Sequence, residues 1–187
     1  LDSQIDALEK FITKQKKKKT IIMYPNNQYS NLVENQIEDI NLKNYKIFKY
    51  NPDPKILTGE IEKLTNYPQR KRNLEIRKKI LEQKDDAQSL NELNKLEQRY
   101  TLGKVNFDSV IIIDFGNSLK SVLASLAFVD VNDEDVLFAT VNQWFDKSIF
   151  FENSVKNLYY PSINQKNFNK YNKDYVKHFR QQPDEIA

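Results

Sequence analysis

Three short, unbroken apolar runs constrain this chain more than any other feature: Thr20-Ile21-Ile22-Met23-Tyr24, Val110-Ile111-Ile112-Ile113 and Val136-Leu137-Phe138-Ala139. A strand with one wet face alternates apolar and polar side chains, whereas a run apolar at every position fits a strand covered on both faces. Such strands belong to parallel sheets layered between helices, and the segments between the runs carry helical spacing. Ile5, Leu8, Phe11 and Ile12 precede the first run, and Leu32, Val33, Ile37 and Ile40 follow it. Tyr45 to Tyr50 reads as another strand, after which Asn51-Pro52-Asp53-Pro54 breaks the chain. There Asp53 is suited to cap a helix with Pro54 at its first position and Ile56, Leu57, Ile61 and Leu64 as its buried stripe. Phe115-Gly116-Asn117-Ser118 leads from the next strand, Asp108 to Asp114, into a helix carrying Leu119, Val122, Leu123, Leu126 and Ala127. Val136 to Thr140 gives a fourth strand and Val155 to Tyr160 a fifth, ended by Pro161. A short helix is expected over Phe145 to Glu152, and an amphipathic helix with Phe168, Tyr171, Tyr175 and Phe179 over Gln165 to Arg180. The expected fold is therefore α/β: a doubly wound, mainly parallel five-stranded sheet with helices on both faces, whose ligands sit beyond the carboxyl ends of the strands.

Residues 68 to 104 depart from this alternation. They are strongly charged, with helical spacing at Leu74, Ile76, Ile80 and Leu81 and again at Leu90, Leu93 and Leu96, around Asp85-Asp86-Ala87-Gln88-Ser89. Asp and Ser favour a turn, so the segment reads as an inserted helical hairpin that projects from the domain. Its charged faces either pair within the hairpin or dock a partner.

Composition narrows the chemistry. The 187 residues suffice for one substantial core, and no stretch approaches the roughly 20 apolar residues of a membrane helix. No signal peptide is visible; a chain that starts at Leu1 and ends at Ala187, in what reads as the first turn of a helix, suggests a processed or truncated fragment. The absence of cysteine excludes thiolate metal sites, disulfides and cysteine nucleophiles. A net charge of +3 is too weak and dispersed to signal nucleic-acid binding. The densest basic run, Lys16 to Lys19, reads as a solvated helix C-terminus whose cations complement the helix dipole, the other reading being a phosphate or membrane patch. Only three glycines occur, Gly59, Gly103 and Gly116, which argues against a glycine-rich phosphate loop and the nucleotide cofactors such loops hold. No cofactor or metal is implied. His178 is the single histidine, and Asp85-Asp86 and Asp133-Glu134-Asp135 fall in turns where solvated acids are expected. Asp114, at a strand's end, is the acid expected near a cleft. A phosphoacceptor role for it would call for further acids after the first strand, where the chain has Tyr24-Pro25-Asn26-Asn27 instead. Binding is expected rather than catalysis.

The order of motifs adds a resemblance. Leu1-Asp2 before an amphipathic helix, a strand running into Tyr24-Pro25-Asn26-Asn27-Gln28-Tyr29, then Phe107-Asp108-Ser109-Val110, and finally Phe168 to Pro183 resemble the second half of type 1 (leucine/isoleucine/valine-type) periplasmic solute-binding proteins. The resemblance implies that residues 1 to 161 form the C-terminal lobe of a bilobal protein, with 162 to 187 returning toward an N-terminal lobe. It also implies a periplasmic protein, either free or lipid-anchored through a preceding region, that serves an ABC transporter permease by closing on a small polar solute. Tyr29 and Phe115 match aromatic positions of the family's cleft, where they would pack on ligand; the other reading of both is hinge or interlobe packing. Where amino-acid-binding members supply a carboxylate for the ligand's ammonium, this chain has Asn142, and Ser30 replaces a glycine. An amide cannot neutralise a buried ammonium, so Asn142, Gln143 and Trp144 point to a neutral polar ligand. Trp144 would stack on a sugar-like or apolar surface, or serve as a core residue. A second functional class shares the fold: lipoprotein activators of penicillin-binding proteins, which act by contact with a peptidoglycan synthase.

Overall fold

A computed structural model describes residues 1–143, 148–149, 154–162 and 165–183. Among the described residues the helices are α1 (Asp2–Lys14), α2 (Ser30–Ile37), α3 (Pro54–Leu64), α4 (Tyr67–Glu82), α5 (Ala87–Glu97), α6 (Gly116–Phe128) and α7 (Gln165–Phe179). The strands are β1 (Thr20–Pro25), β2 (Tyr45–Tyr50), β3 (Ser109–Ile112), β4 (Leu137–Thr140) and β5 (Leu158–Tyr159). They form one sheet in the order β2-β1-β3-β4-β5, and every pair is parallel. The fold is thus the expected doubly wound α/β sheet with an inserted helical hairpin.

The unbroken apolar runs have the anticipated cause. Successive side chains of a strand point to opposite faces. Ile21, Met23, Val110 and Ile112 join the α3 residues Leu57 and Ile61 and the α6 residues Leu119, Val122 and Leu126 in one buried cluster. Ile22, Tyr24, Ile111 and Ile113 join Ile5, Leu8 and Ile12 of α1 and Val33 and Ile37 of α2 in the other. Each face of the sheet therefore has its own pair of helices. The edge strand β2 is much less buried, and Ile47 on it is 48 % exposed.

Local signals act where the sequence puts them. Asp53 Oδ1 accepts the Lys55 amide at 3.0 Å, with Pro54 opening α3. Asp86 accepts the amide of Ser89 at 2.8 Å and its hydroxyl at 2.7 Å, starting α5. Three details differ from expectation. The fifth strand pairs over only two residues, Leu158 and Tyr159. Leu32 and Ile56, each counted in a buried stripe, are 46 % exposed, because only the neighbours Val33 and Leu57 face the sheet. The hairpin has its own small core of Leu74, Leu81 and Leu96, whereas Ile76, Ile80 and Leu90 face outward. The helix expected over Phe145 to Glu152 lies almost entirely outside the described residues.

The hairpin is also bolted to the body. Arg70 is buried, and its guanidinium donates to the carbonyls of Gly103, Val129 and Asp130 at 2.9 to 3.1 Å and to Thr101 Oγ1 at 2.8 Å. Thr101 in turn donates its amide and hydroxyl to the Asp130 carboxylate. Burial lowers the arginine's pKa, and the nearby Asp130 and Asp135 oppose that shift.

Candidate functional site

Strand order reverses between β1 and β3, since β2 lies on one side of β1 and β3 and β4 continue on the other. The loops leaving neighbouring strands there head toward opposite faces, and the carboxyl ends at such a point are the usual ligand position in open α/β sheets. Asp114 and Phe115 stand at that point directly after β3, and Tyr29 stands there ahead of α2. The tight exit of the chain from β3 rests on Gly116, whose φ of 55° lies in the left-handed region that a side chain disfavours.

Asp114 keeps the parity of Ile112 and leans toward the α3 and α6 side. It is 6 % exposed. Its Oδ2 accepts the hydroxyl of Tyr50, and its Oδ1 accepts the Phe115 amide at 2.8 Å. Burial raises the carboxyl pKa; the hydroxyls of Ser118 and Tyr50 and the Phe115 amide pull it partly back. Ser118 Oγ contributes to that electrostatic balance from close by, yet it finds no partner with full hydrogen-bond geometry. Tyr50 is itself fully buried, and desolvation together with the Asp114 charge raises its pKa far above that of a free phenol.

Phe115 takes the opposite parity and meets Tyr29 edge-on, with ring centroids 5.9 Å apart. Both rings pack partly buried against the α1 and α2 cluster. Desolvation, then the charge of Asp114, pushes the Tyr29 hydroxyl up to about 12, so it stays a protonated donor at physiological pH. Gln143, after β4, is buried and donates its Nε2 to the carbonyls of Asp114 at 3.0 Å and Val141 at 3.2 Å. Its Oε1 has no hydrogen-bond partner. The Asn142 amide donates to Gln4 Oε1 of α1 at 2.7 Å, which ties the start of this loop to the other layer. Trp144 lies outside the described residues.

The fold thus gathers Tyr29, Asp114, Phe115 and Gln143 at the ends of β1, β3 and β4, with Asn142 beside them. Two participants had not been anticipated, Tyr50 and Gln4, which lie 64 and 138 residues from their partners. The sequence held one usable sign of Tyr50, an aromatic closing a strand directly before Asn51-Pro52. In this arrangement the Asp114 carboxyl accepts from a phenol and a backbone amide, and the rings of Tyr29 and Phe115 meet edge-on. His178 is distant in sequence and exposed, with Nδ1 2.8 Å from the Asp174 carbonyl of its own helix. No group of three or more His, Cys, Asp or Glu residues suited to a metal ion occurs among the described residues. No helix among them is long and apolar enough to cross a membrane. Comparison with protein-family models, with curated proteins and with solved structures found no match in any of the three.

Proposed function

We propose that this chain is one α/β lobe of an extracytoplasmic, bilobal binding protein of the type 1 solute-binding class, and that it binds a small polar solute between its lobes without transforming it. The observation that carries this reading is the pairing of Tyr29 and Phe115 across the β1/β3 switch point, above an Asp114 already committed to Tyr50. A general acid or base must present its proton or lone pair to a substrate. Asp114 is buried and accepts from the Tyr50 hydroxyl and the Phe115 amide, which suits it to fixing the floor beneath the strand ends. The rings supply apolar contact, and the Tyr29 hydroxyl supplies a donor. A lobe of this kind forms one wall; the second lobe supplies the other, and closure on solute couples the protein to an ABC permease in the periplasm. The decisive experiment is a metabolite screen by thermal shift on the intact two-lobed protein, followed by calorimetry. Specific stabilisation by one solute class, weakened at least tenfold by F115A, supports the reading, whereas silence across neutral polar solutes defeats it.

One observation favours a second reading, a lipoprotein activator of a penicillin-binding protein acting through protein contact. Arg70 fastens the base of the α4–α5 hairpin with four hydrogen bonds, and Ile76 and Ile80 are exposed further along α4. A fastened base lowers the ordering cost of association. Saturable binding of a purified peptidoglycan synthase, lost in I76D/I80D, would decide for this reading over solute reception.

A further inference from the structure

The edge of the sheet at β2 presents backbone groups that neither reading uses. The Thr20 amide donates to the Asn44 carbonyl at 3.0 Å and the Asn26 amide to the Tyr50 carbonyl at 2.8 Å, so the even-numbered residues of β2 turn their backbone toward β1. Alternation along the strand then points the N–H and C=O groups of Tyr45, Ile47 and Lys49 away from the sheet. No strand among the described residues pairs with that side of β2. Lys46, Ile47 and Lys49 are all exposed there.

The side chains of this edge form two rows. Tyr45 packs against the α1 and α2 cluster, and Lys49 on the same face pairs with Glu34 and lies over the Tyr24 ring, 5.9 Å from its centroid. Phe48 packs against the α3 and α6 cluster, and the alternation of the strand puts Lys46 on its side. Lysines on an edge strand commonly serve to keep other strands away. In β2, however, the Lys49 charge is met by Glu34, and the middle one of the three outward-facing residues is the apolar Ile47, 48 % exposed.

We infer that β2 pairs with β2 of a second copy of this chain, antiparallel about a two-fold axis at Ile47, so that two five-stranded sheets run on as one. The register follows by elimination. An antiparallel neighbour sets outward-facing residues opposite outward-facing residues, because those pairs exchange the hydrogen bonds. With the axis at Ile47, that residue meets its own copy while Tyr45 and Lys49 of each chain meet Lys49 and Tyr45 of the other. Both backbone groups of all three residues are then satisfied. On the other face Lys46 comes opposite Phe48, where its aliphatic stem covers the ring. An axis at Lys46 or at Lys49 sets that lysine directly against its own copy, and like charges so placed oppose pairing. Axes at Tyr45, Phe48 or Tyr50 leave one or more of the outward-facing residues opposite chain that lies beyond β2.

The test is sedimentation equilibrium of the 187-residue chain over a wide concentration range. One strand with its flanking side chains makes a small interface, so a reversible dimer with a Kd of roughly 10–100 µM is expected. I47K sets two ammonium groups against each other at the axis and should weaken association roughly tenfold. I47P removes an outward amide but none of the bonds to β1, so it should weaken association as much with an unchanged circular dichroism spectrum. Because the chain has no cysteine, single cysteines report the register. Cα atoms of a hydrogen-bonded antiparallel pair lie about 5.5 Å apart, within reach of a disulfide. I47C should therefore oxidise to a covalent dimer roughly tenfold faster than K49C, whose two copies are offset by about 14 Å along the strands. A chain that stays monomeric up to roughly 500 µM, well above the expected Kd, overturns the inference and leaves the edge to a strand of another protein. A dimer that I47K and I47P leave intact overturns it as well, and so does K49C crosslinking as fast as I47C.

Discussion

Asp114 and Tyr50 show how one buried pair sets the character of the strand ends. Burial raises the Asp114 carboxyl above its ordinary 3.8, so the folded protein holds that proton more tightly than the unfolded chain does. The linked stability is fully present below the unfolded value and is lost as pH rises through the folded value. D114N carries no titrating group, so the stability of the natural protein minus that of D114N should fall as pH rises from about 3.8 and level off above the folded pKa. Thermal melts of both proteins across pH 3 to 8 measure this difference, and a flat or rising one would sink the assignment. Y50F removes the phenol donor and leaves a buried carboxylate oxygen short of a partner, at a cost of roughly 1–3 kcal/mol. That loss should shrink at acid pH, where the carboxyl is neutral, which urea titrations at two pH values would reveal. The acid at the strand end was legible because Asp114 ends an apolar run. Its partner was not, because a hydrogen bond between residues 64 apart depends on which strands become neighbours.

At the scale of elements, the hairpin illustrates how periodicity finds helices but misjudges their faces. Leu74, Ile76, Ile80 and Leu81 were all apolar and helically spaced, yet Leu74 and Leu81 turn inward whereas Ile76 and Ile80 are 51 % and 43 % exposed. Spacing of two residues on a helix places side chains about 200° apart, so one face cannot hold both Leu74 and Ile76. Nor could the charged composition reveal that Arg70 is an internal bolt instead of a solvated residue. R70A should cost roughly 3–4 kcal/mol, since several buried acceptors lose their donor at once. R70K keeps the charge but lacks the planar fork that reaches them, and it should recover less than half of that loss in urea unfolding. L81A tests whether the small core of Leu74, Leu81 and Leu96 acts locally. Hydrogen exchange should speed up through α4 and α5 while the amides of β1 and β3 keep their protection.

For the molecule as a whole, the sheet order decides where stability resides. The apolar runs made the central strands readable from the sequence, and the lower apolarity of Tyr45 to Tyr50 is explained by its place at the edge in β2. Strand order itself was not readable: alternation of strands and helices fits several orders, and the switch point exists only once β1 sits between β2 and β3. That position gives β1 and β3 neighbours on both sides and helices on both faces. Ile111, on β3, is 2 % exposed within the cluster shared with α1 and α2. Truncating it removes contacts that hold two layers together, so I111A should cost about 2–5 kcal/mol and should lower fluorescence and circular dichroism midpoints by the same amount. Ile47 on β2 is apolar too, but at 48 % exposure its truncation should change stability by only about 0.5 kcal/mol. Paired urea titrations of I111A and I47A thus read the sheet order from solution. Equal losses would mean that β2 is no more an edge than β3, and the switch point between β1 and β3 would lose its structural basis.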